Sequence, residues 1–187
     1  MASQPEIVIE YDVAEDERVV EIRGNWQSFA EANGAPALSV DAVVGHPLLS
    51  FFEGSDVREM YRMILHRIRE RGKPFSLQFK CDDRDHERLF RLVVSKPDER
   101  TVRFSSTLLQ EQTRAPVHLF DGNVPRSEEF LSVCSVCKQV DCDGEWLPVE
   151  EVVAKLHLME RDVLPQLSHG LCPACFERTM RELDESA

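Results

Sequence analysis

The sequence predicts an α+β chain in two parts, a β-β-α-α-β-β-β unit followed by a small cysteine-rich module. Three observations carry this. Short β-branched or alternating runs bracket two helical segments in the first 113 residues. An apolar stripe at helical spacing runs from Val57 to Ile68. Two C-x-x-C pairs, Cys134/Cys137 and Cys172/Cys175, fall after a break in composition.

The elements follow in order. Ile7-Val8-Ile9-Glu10-Tyr11 and Arg18-Val19-Val20-Glu21-Ile22 are β-rich and flank a polar turn at 14–17, which predicts a hairpin. Asn25 stands as an N-cap before a short helix with Trp26, Phe29, Ala30 and Asn33 on one face, closed by Asn33-Gly34. Ser55 or Asp56 caps a longer helix. Its residues Val57, Met60, Tyr61, Ile64, Leu65 and Ile68 share a face, and Gly72-Lys73-Pro74 ends it. Arg58, Arg62, Arg67, Arg69 and Arg71 then fall on its solvated side, balanced by Glu59 and Glu70. Runs at 75–80, 89–95 and 101–109, separated by the polar turns 82–87 and 96–100, predict three antiparallel strands.

The segment 114–131 carries two prolines, a Gly and an Asn without a sustained period and reads as a linker, so a domain boundary is placed in it. Beyond it lies the module, residues 132–184. Between its cysteine pairs, Val149, Val152, Val153, Leu156 and Met159 share one face of a predicted helix with Pro148 in its first turn. That helix returns the second pair toward the first. A short amphipathic helix follows Cys172, placing the second pair at its N-terminus, where partial positive charge favours thiolates.

Charge narrows the function. With 22 Lys and Arg against 34 Asp and Glu, the net charge is −12, which disfavours a phosphate backbone or an anionic membrane as partner. The least polar stretch, 42–52, falls far short of the roughly 20 residues that span a bilayer. The N-terminus has no basic and apolar leader, so a cytoplasmic location is expected. In a reducing compartment clustered cysteines point to a metal or to redox chemistry rather than to structural disulfides. Two C-x-x-C pairs supply the four thiolates of a closed tetrahedral zinc site, so Cys134, Cys137, Cys172 and Cys175 are the expected ligands of one structural zinc. His169 is a supporting or structural histidine, Cys142 a loop thiol and Cys81 a small buried residue at a strand end. A dithiol redox pair remains the other reading.

The words within this pattern carry a resemblance. Asn25-Trp26-Gln-Ser-Phe29-Ala30-Glu-Ala-Asn33, Gly45-His-Pro-Leu48-Leu-Ser-Phe51-Phe52, the helix around Met60-Tyr61-Arg62 and Phe79-Lys80-Cys81-Asp82 are similar to a bacterial PAS-type sensory domain, over residues 6–113. Lys80 stands where that subfamily has an Arg. The resemblance implies a five-stranded antiparallel sheet flanked by helices, with a pocket that in relatives holds haem, flavin, a metabolite or nothing. Cys134-Ser-Val-Cys137-Lys, Trp146, Val149-Glu150 and Ser168-His169-Gly170-Leu-Cys172-Pro173-Ala-Cys175 resemble a C-terminal segment of bacterial signalling proteins. The layout resembles a treble-clef zinc module.

No haem or flavin is expected. The helical wheel turns His66 about 170° from the apolar face, and Cys81 lies at a strand end rather than in a flavin-reactive helix. Trp26, Phe29, Phe51, Phe52, Tyr61, Phe79 and Phe104 are either core or the lining of a cavity. No G-x-S-x-G, H-E-x-x-H or P-loop occurs, and four thiolates leave a metal no open position, so the chain is not expected to be an enzyme. The expected function is sensing and signal transduction, with a protein partner or small-molecule signal and output in trans. The alternative is a thiol redox sensor that releases zinc on oxidation. Edge strands and the segment before them serve as dimer surfaces in the family; residues 7–9 either do so here, in a homodimer, or pair within the sheet.

Overall fold

The structure, a computed structural model, describes residues 8–185. Val8–Ala14 (β1) and Val19–Gly24 (β2) form the expected hairpin. Trp26–Ala32 (α1), Val40–Val43 (α2), a 3₁₀ turn at Leu48–Phe51 and the long helix Ser55–Arg71 (α3) follow. Phe75–Lys80 (β3), His86–Ser95 (β4) and Thr101–Thr113 (β5) complete a five-stranded antiparallel sheet in the order β2-β1-β5-β4-β3. No helix among the described residues is long and apolar enough to cross a membrane.

The stripe on α3 explains its place. Val57, Met60, Ile64, Leu65 and Ile68 are buried, and Gly72 ends the helix with φ of 67°, a conformation open to glycine at no steric cost. Phe75, Leu77, Leu92, Val94, Val102 and Phe104 join α3 in one buried cluster. Within it Tyr11 stacks on Phe104 at 4.9 Å, Tyr61 stacks on Phe104 at 5.8 Å and Phe52 on Tyr61 at 4.2 Å. The arginines of α3 are less idle than a solvated face implies. Arg67 pairs with Asp184 of the last helix, and Arg69 donates to Ala14 O in the β1–β2 turn.

Several expected caps differ. Asn25 precedes α1 without a capping bond, because its Oδ1 accepts from Val8 N and its own N–H donates to Val8 O. The N-cap of α3 is Gly54 rather than Ser55 or Asp56, and the Asp56 carboxylate accepts instead from Leu171 N at 2.9 Å. The strands β4 and β5 extend past their apolar cores. Glu87↔Gln112 and Arg88↔Glu111 are paired at the polar end, where cross-strand ion pairing replaces apolar alternation. β1 lies between β2 and β5, so Val8 and Ile9 pair within the sheet; Ile7 lies outside the described residues.

Arg126–Cys134 (β6), Val140–Cys142 (β7), Glu145–Leu147 (β8) and Leu164–Gly170 (β9) form a second sheet in the order β8-β7-β6-β9, with β6 and β9 parallel. Val149–Lys155 (α4) and a 3₁₀ turn at Leu158–Glu160 lie in the crossover, and Pro173–Glu185 (α5) closes the chain. The segment expected as a linker is in part structure. Val117 and Leu119 are buried in the second core, and β6 begins at Arg126, because a parallel partner in β9 satisfies its backbone.

α4 is also shorter than expected. Pro148 is its N-cap rather than a first-turn residue, and His157 takes a left-handed φ of 51° that ends the helix. The break rotates the following residues. Leu158 is fully buried and Met159 is 64% exposed, so Met159 does not continue the apolar face.

Candidate metal centre

Each cysteine pair sits where the local chain turns. Cys134 is the last residue of β6, and its N–H donates to Gln139 O while Lys138 N donates to Cys134 O, closing a tight knuckle with Lys138 at φ of 64°. Cys172 precedes α5 and Cys175 lies in its first turn. The parallel pairing of Cys134 with Gly170 aligns the two. Ser135 N also donates to Gly170 O at 2.9 Å, locking the knuckle to the end of β9.

The four sulfurs all lie within 4.8 Å of one another. Cys137 Sγ and Cys172 Sγ are 3.8 Å apart. Tetrahedral coordination at a zinc–sulfur bond of about 2.3 Å requires sulfur–sulfur edges of about 3.8 Å, so the donor set fits such an ion in type and spacing. Cys134, Cys172 and Cys175 are buried, and Cys137 is half-buried.

Backbone and charge favour sulfur anions here. Cys172 N donates to Cys134 Sγ and Cys175 N to Cys172 Sγ, both at 3.4 Å, while Arg178 reaches Cys175 Sγ at 3.8 Å. The Cys137 thiol, opposed by burial and helped by the N–H groups of Cys172, Cys137 and Val136, holds the Cys134 thiol down at about 4. Burial and the neighbouring Cys134 charge push Cys175 up to about 12, and hydrogen bonding to Cys134 with burial pushes Cys137 up. One thiolate is therefore accommodated by protein groups alone. Four require a cation.

The centre is embedded in the first unit. Cys134, Val136, Leu171, Cys172, Cys175 and Leu183 belong to the same buried cluster as Met60, Ile64 and Leu77, and α5 packs on β3 and α3. Lys80 N donates to Val136 O at 2.8 Å, so the last N–H of β3 is spent on the knuckle. A Cβ on Gly54 would meet His169 O at 2.3 Å, which makes glycine a requirement of this close approach. On the other side, the buried Arg114 guanidinium pairs with Asp82 at 3.5 Å, with Glu87 at 3.7 Å and with Glu150 of α4.

Two concavities adjoin the centre. A polar cleft is lined by Cys137, Cys172, Cys175, Lys80, Arg114 and Arg178. A second cavity of about 370 Å³ is walled by Phe51, Phe52, Tyr61 and Phe79 from the first unit and by Ser135, Val136, Lys138 and His169 from the second. Of the aromatic residues singled out by the sequence, Phe104 is core, while Trp26 meets Tyr11 and Phe29 meets Phe90 edge-on.

The structure brings together all four sequence-assigned cysteines and leaves His169 outside their group. His169 lines the second cavity instead. Cys142 is a buried residue of β7 packed in the second core rather than a loop thiol, since its strand turns it inward. Cys81 follows β3, and burial raises its thiol. His66 is exposed and faces Glu70 at 3.3 Å, as the helical wheel requires. The junction residues Gly54, Asp56 and Arg114 were missed by sequence reasoning. Only their partners in space distinguish them from an ordinary turn, cap and connector residue.

No family model, curated protein or solved structure matches the chain.

Proposed function

We propose that the chain is a non-enzymatic signalling protein in which residues 8–113 form a PAS-type sensory unit and the four cysteines hold one structural zinc in a treble-clef-like docking module. The observation that carries this reading is the shared core: the metal ligands Cys134, Cys172 and Cys175 are buried with α3 and β3 of the first sheet. A change in the packing of α3 thereby reaches the zinc module directly, and the module presents it to a protein partner. The five-stranded antiparallel sheet with helices between β2 and β3 supports the PAS reading, as does the cavity beside α3.

Metal analysis of the reduced protein tests the zinc half of the proposal, with one equivalent per chain expected. Hydrogen exchange before and after chelation tests the coupling. Lost protection in α3 and β3 along with residues 126–185 is expected; an unchanged α3 sinks the transmission claim.

The 3.8 Å separation of Cys137 and Cys172 favours one second reading, a redox sensor. Hydrogen peroxide would take two electrons from two of the thiolates, giving a disulfide and water and releasing the zinc. Zinc retained after stoichiometric peroxide rules it out.

A further inference from the structure

The cavity between the first sheet and the zinc knuckle has an unusual mixture of linings. Its body is aromatic: Phe52 and Tyr61 stack face to face at 4.2 Å, and Phe79 of β3 lines it with them. At about 370 Å³ it lies at the small end of the range for small-molecule sites, roughly 300–1,000 Å³. Glu53, an exposed residue, and Lys138 also line it. Both also act on the charge of His169, which lines the same cavity. Among the described residues neither is in an ion pair, whereas Arg58, Arg62 and Arg67 of α3 all have partners. Ser135 is a further lining residue.

Such a site selects by charge as well as by shape. A purely apolar ligand would cover Glu53 and Lys138 without compensating either. An aromatic acid would meet Lys138 but bring a like charge toward Glu53, and an aromatic amine would do the reverse. A zwitterion meets both.

We propose that this cavity binds a free α-amino acid with a large apolar side chain, with the side chain among Phe52, Tyr61 and Phe79, the ammonium on Glu53 and the carboxylate on Lys138 and Ser135. The inference rests on the sensory reading of the first unit and names its signal. Because Lys138 and Ser135 belong to the knuckle, the ligand touches both units at once. Occupancy then stabilises the knuckle against the sheet, since a ligand that binds only the assembled form favours it by mass action.

Titration calorimetry on the zinc-loaded full chain tests this with L-phenylalanine, L-tryptophan and L-leucine, alongside 3-phenylpropionate and 2-phenylethylamine. At least one of the amino acids should bind at one per chain. L-phenylalanine should bind roughly tenfold or more tighter than the acid or the amine, because each analogue leaves one charge uncompensated. Lys138→Asn, which keeps a residue tolerant of positive φ, should abolish the preference over 2-phenylethylamine. Glu53→Gln should abolish the preference over 3-phenylpropionate. Zinc content confirms that both variants are folded. If none of the three amino acids binds to protein with its full complement of zinc, or if the analogues bind as tightly as L-phenylalanine, the ligand assignment is overturned while the docking proposal stands. If an amino acid binds but leaves hydrogen exchange of the knuckle unchanged, the signalling proposal fails and the ligand site remains.

Discussion

The two sheets solve the same problem with different means. In the first, β4 and β5 are paired through ten positions, and fully buried Phe75, Phe90 and Phe104 fill the space between the sheet and its helices. In the second, β7 and β8 have three residues each, and β7 joins β6 through the single pair Val133↔Val140. Its core is mostly valine and leucine. Long ladders and large rings let the first sheet stand on buried apolar area. The second has too little of either, and on the proposed reading one ion shared by four sulfurs would provide what is missing.

Removing the ion is the largest test of that contrast. Cys172→Ser, or chelation, removes binding free energy on the order of 10 kcal/mol from the small module. Residues 126–185 should lose exchange protection, and the loss should extend into α3 and β3 while β1, β4 and β5 keep theirs. Equal loss everywhere would show that the first sheet does not stand alone.

Two core truncations come next. Phe104→Ala should cost about 3–5 kcal/mol in denaturant unfolding, because the ring is fully buried and stacked with Tyr11 and Tyr61, and should in addition weaken zinc affinity, since Phe104 shares its buried cluster with Cys134, Cys172 and Cys175. Leu158→Ala should cost about 2–5 kcal/mol and leave zinc affinity nearly unchanged, since Leu158 lies in the second core while Cys134, Cys172 and Cys175 lie in the first. A competition assay with a zinc chelator separates the two. If Leu158→Ala lowers zinc affinity as much as Phe104→Ala, the distinction between the cores is lost.

Gly54→Ala probes the junction. The new methyl would collide with His169 O, and overpacking of this kind costs about 1–3 kcal/mol. Thermal unfolding should show a lower midpoint with the zinc retained.

The smallest effect belongs to the first sheet alone. Burial acts to raise the Asp12 carboxyl, but hydrogen bonds from Arg103 and Arg23 hold it at about 2 against an ordinary value of 3.8. A carboxyl held down in the folded state contributes stability above its unfolded value, and that contribution is lost as pH falls from about 4 toward 2. It is on the order of 1–2 kcal/mol. The difference in stability between the protein and Asp12→Asn should shrink across that window; a constant difference contradicts the assignment.

What the sequence disclosed follows the same division. The stripe from Val57 to Ile68 and the alternation at 75–80 are long enough to declare themselves, and the two C-x-x-C pairs are chemically explicit. β6 and β9 were missed because their pairing is parallel and remote, with Pro165 inside β9. That proline is tolerated because β9 is an edge strand. The β7–β8 hairpin did leave a local sign, Asp143-Gly144, both at positive φ. His157 left none: its left-handed backbone moved the buried position from Met159 to Leu158 with no glycine to mark it.

The bond from Lys80 N to Val136 O has a consequence for anyone who cuts the chain. β3 is the outer strand of the first sheet, and the knuckle caps its end while Val136, Leu171 and Leu183 cover the apolar surface beside it. A fragment ending at Thr113 would keep its ladder yet expose a free strand edge next to uncovered Leu77 and Phe79. Open edges of that kind recruit other chains. The fragment should therefore be prone to aggregate even where its own sheet is sound, with the cysteine-rich module as its solubilising cover.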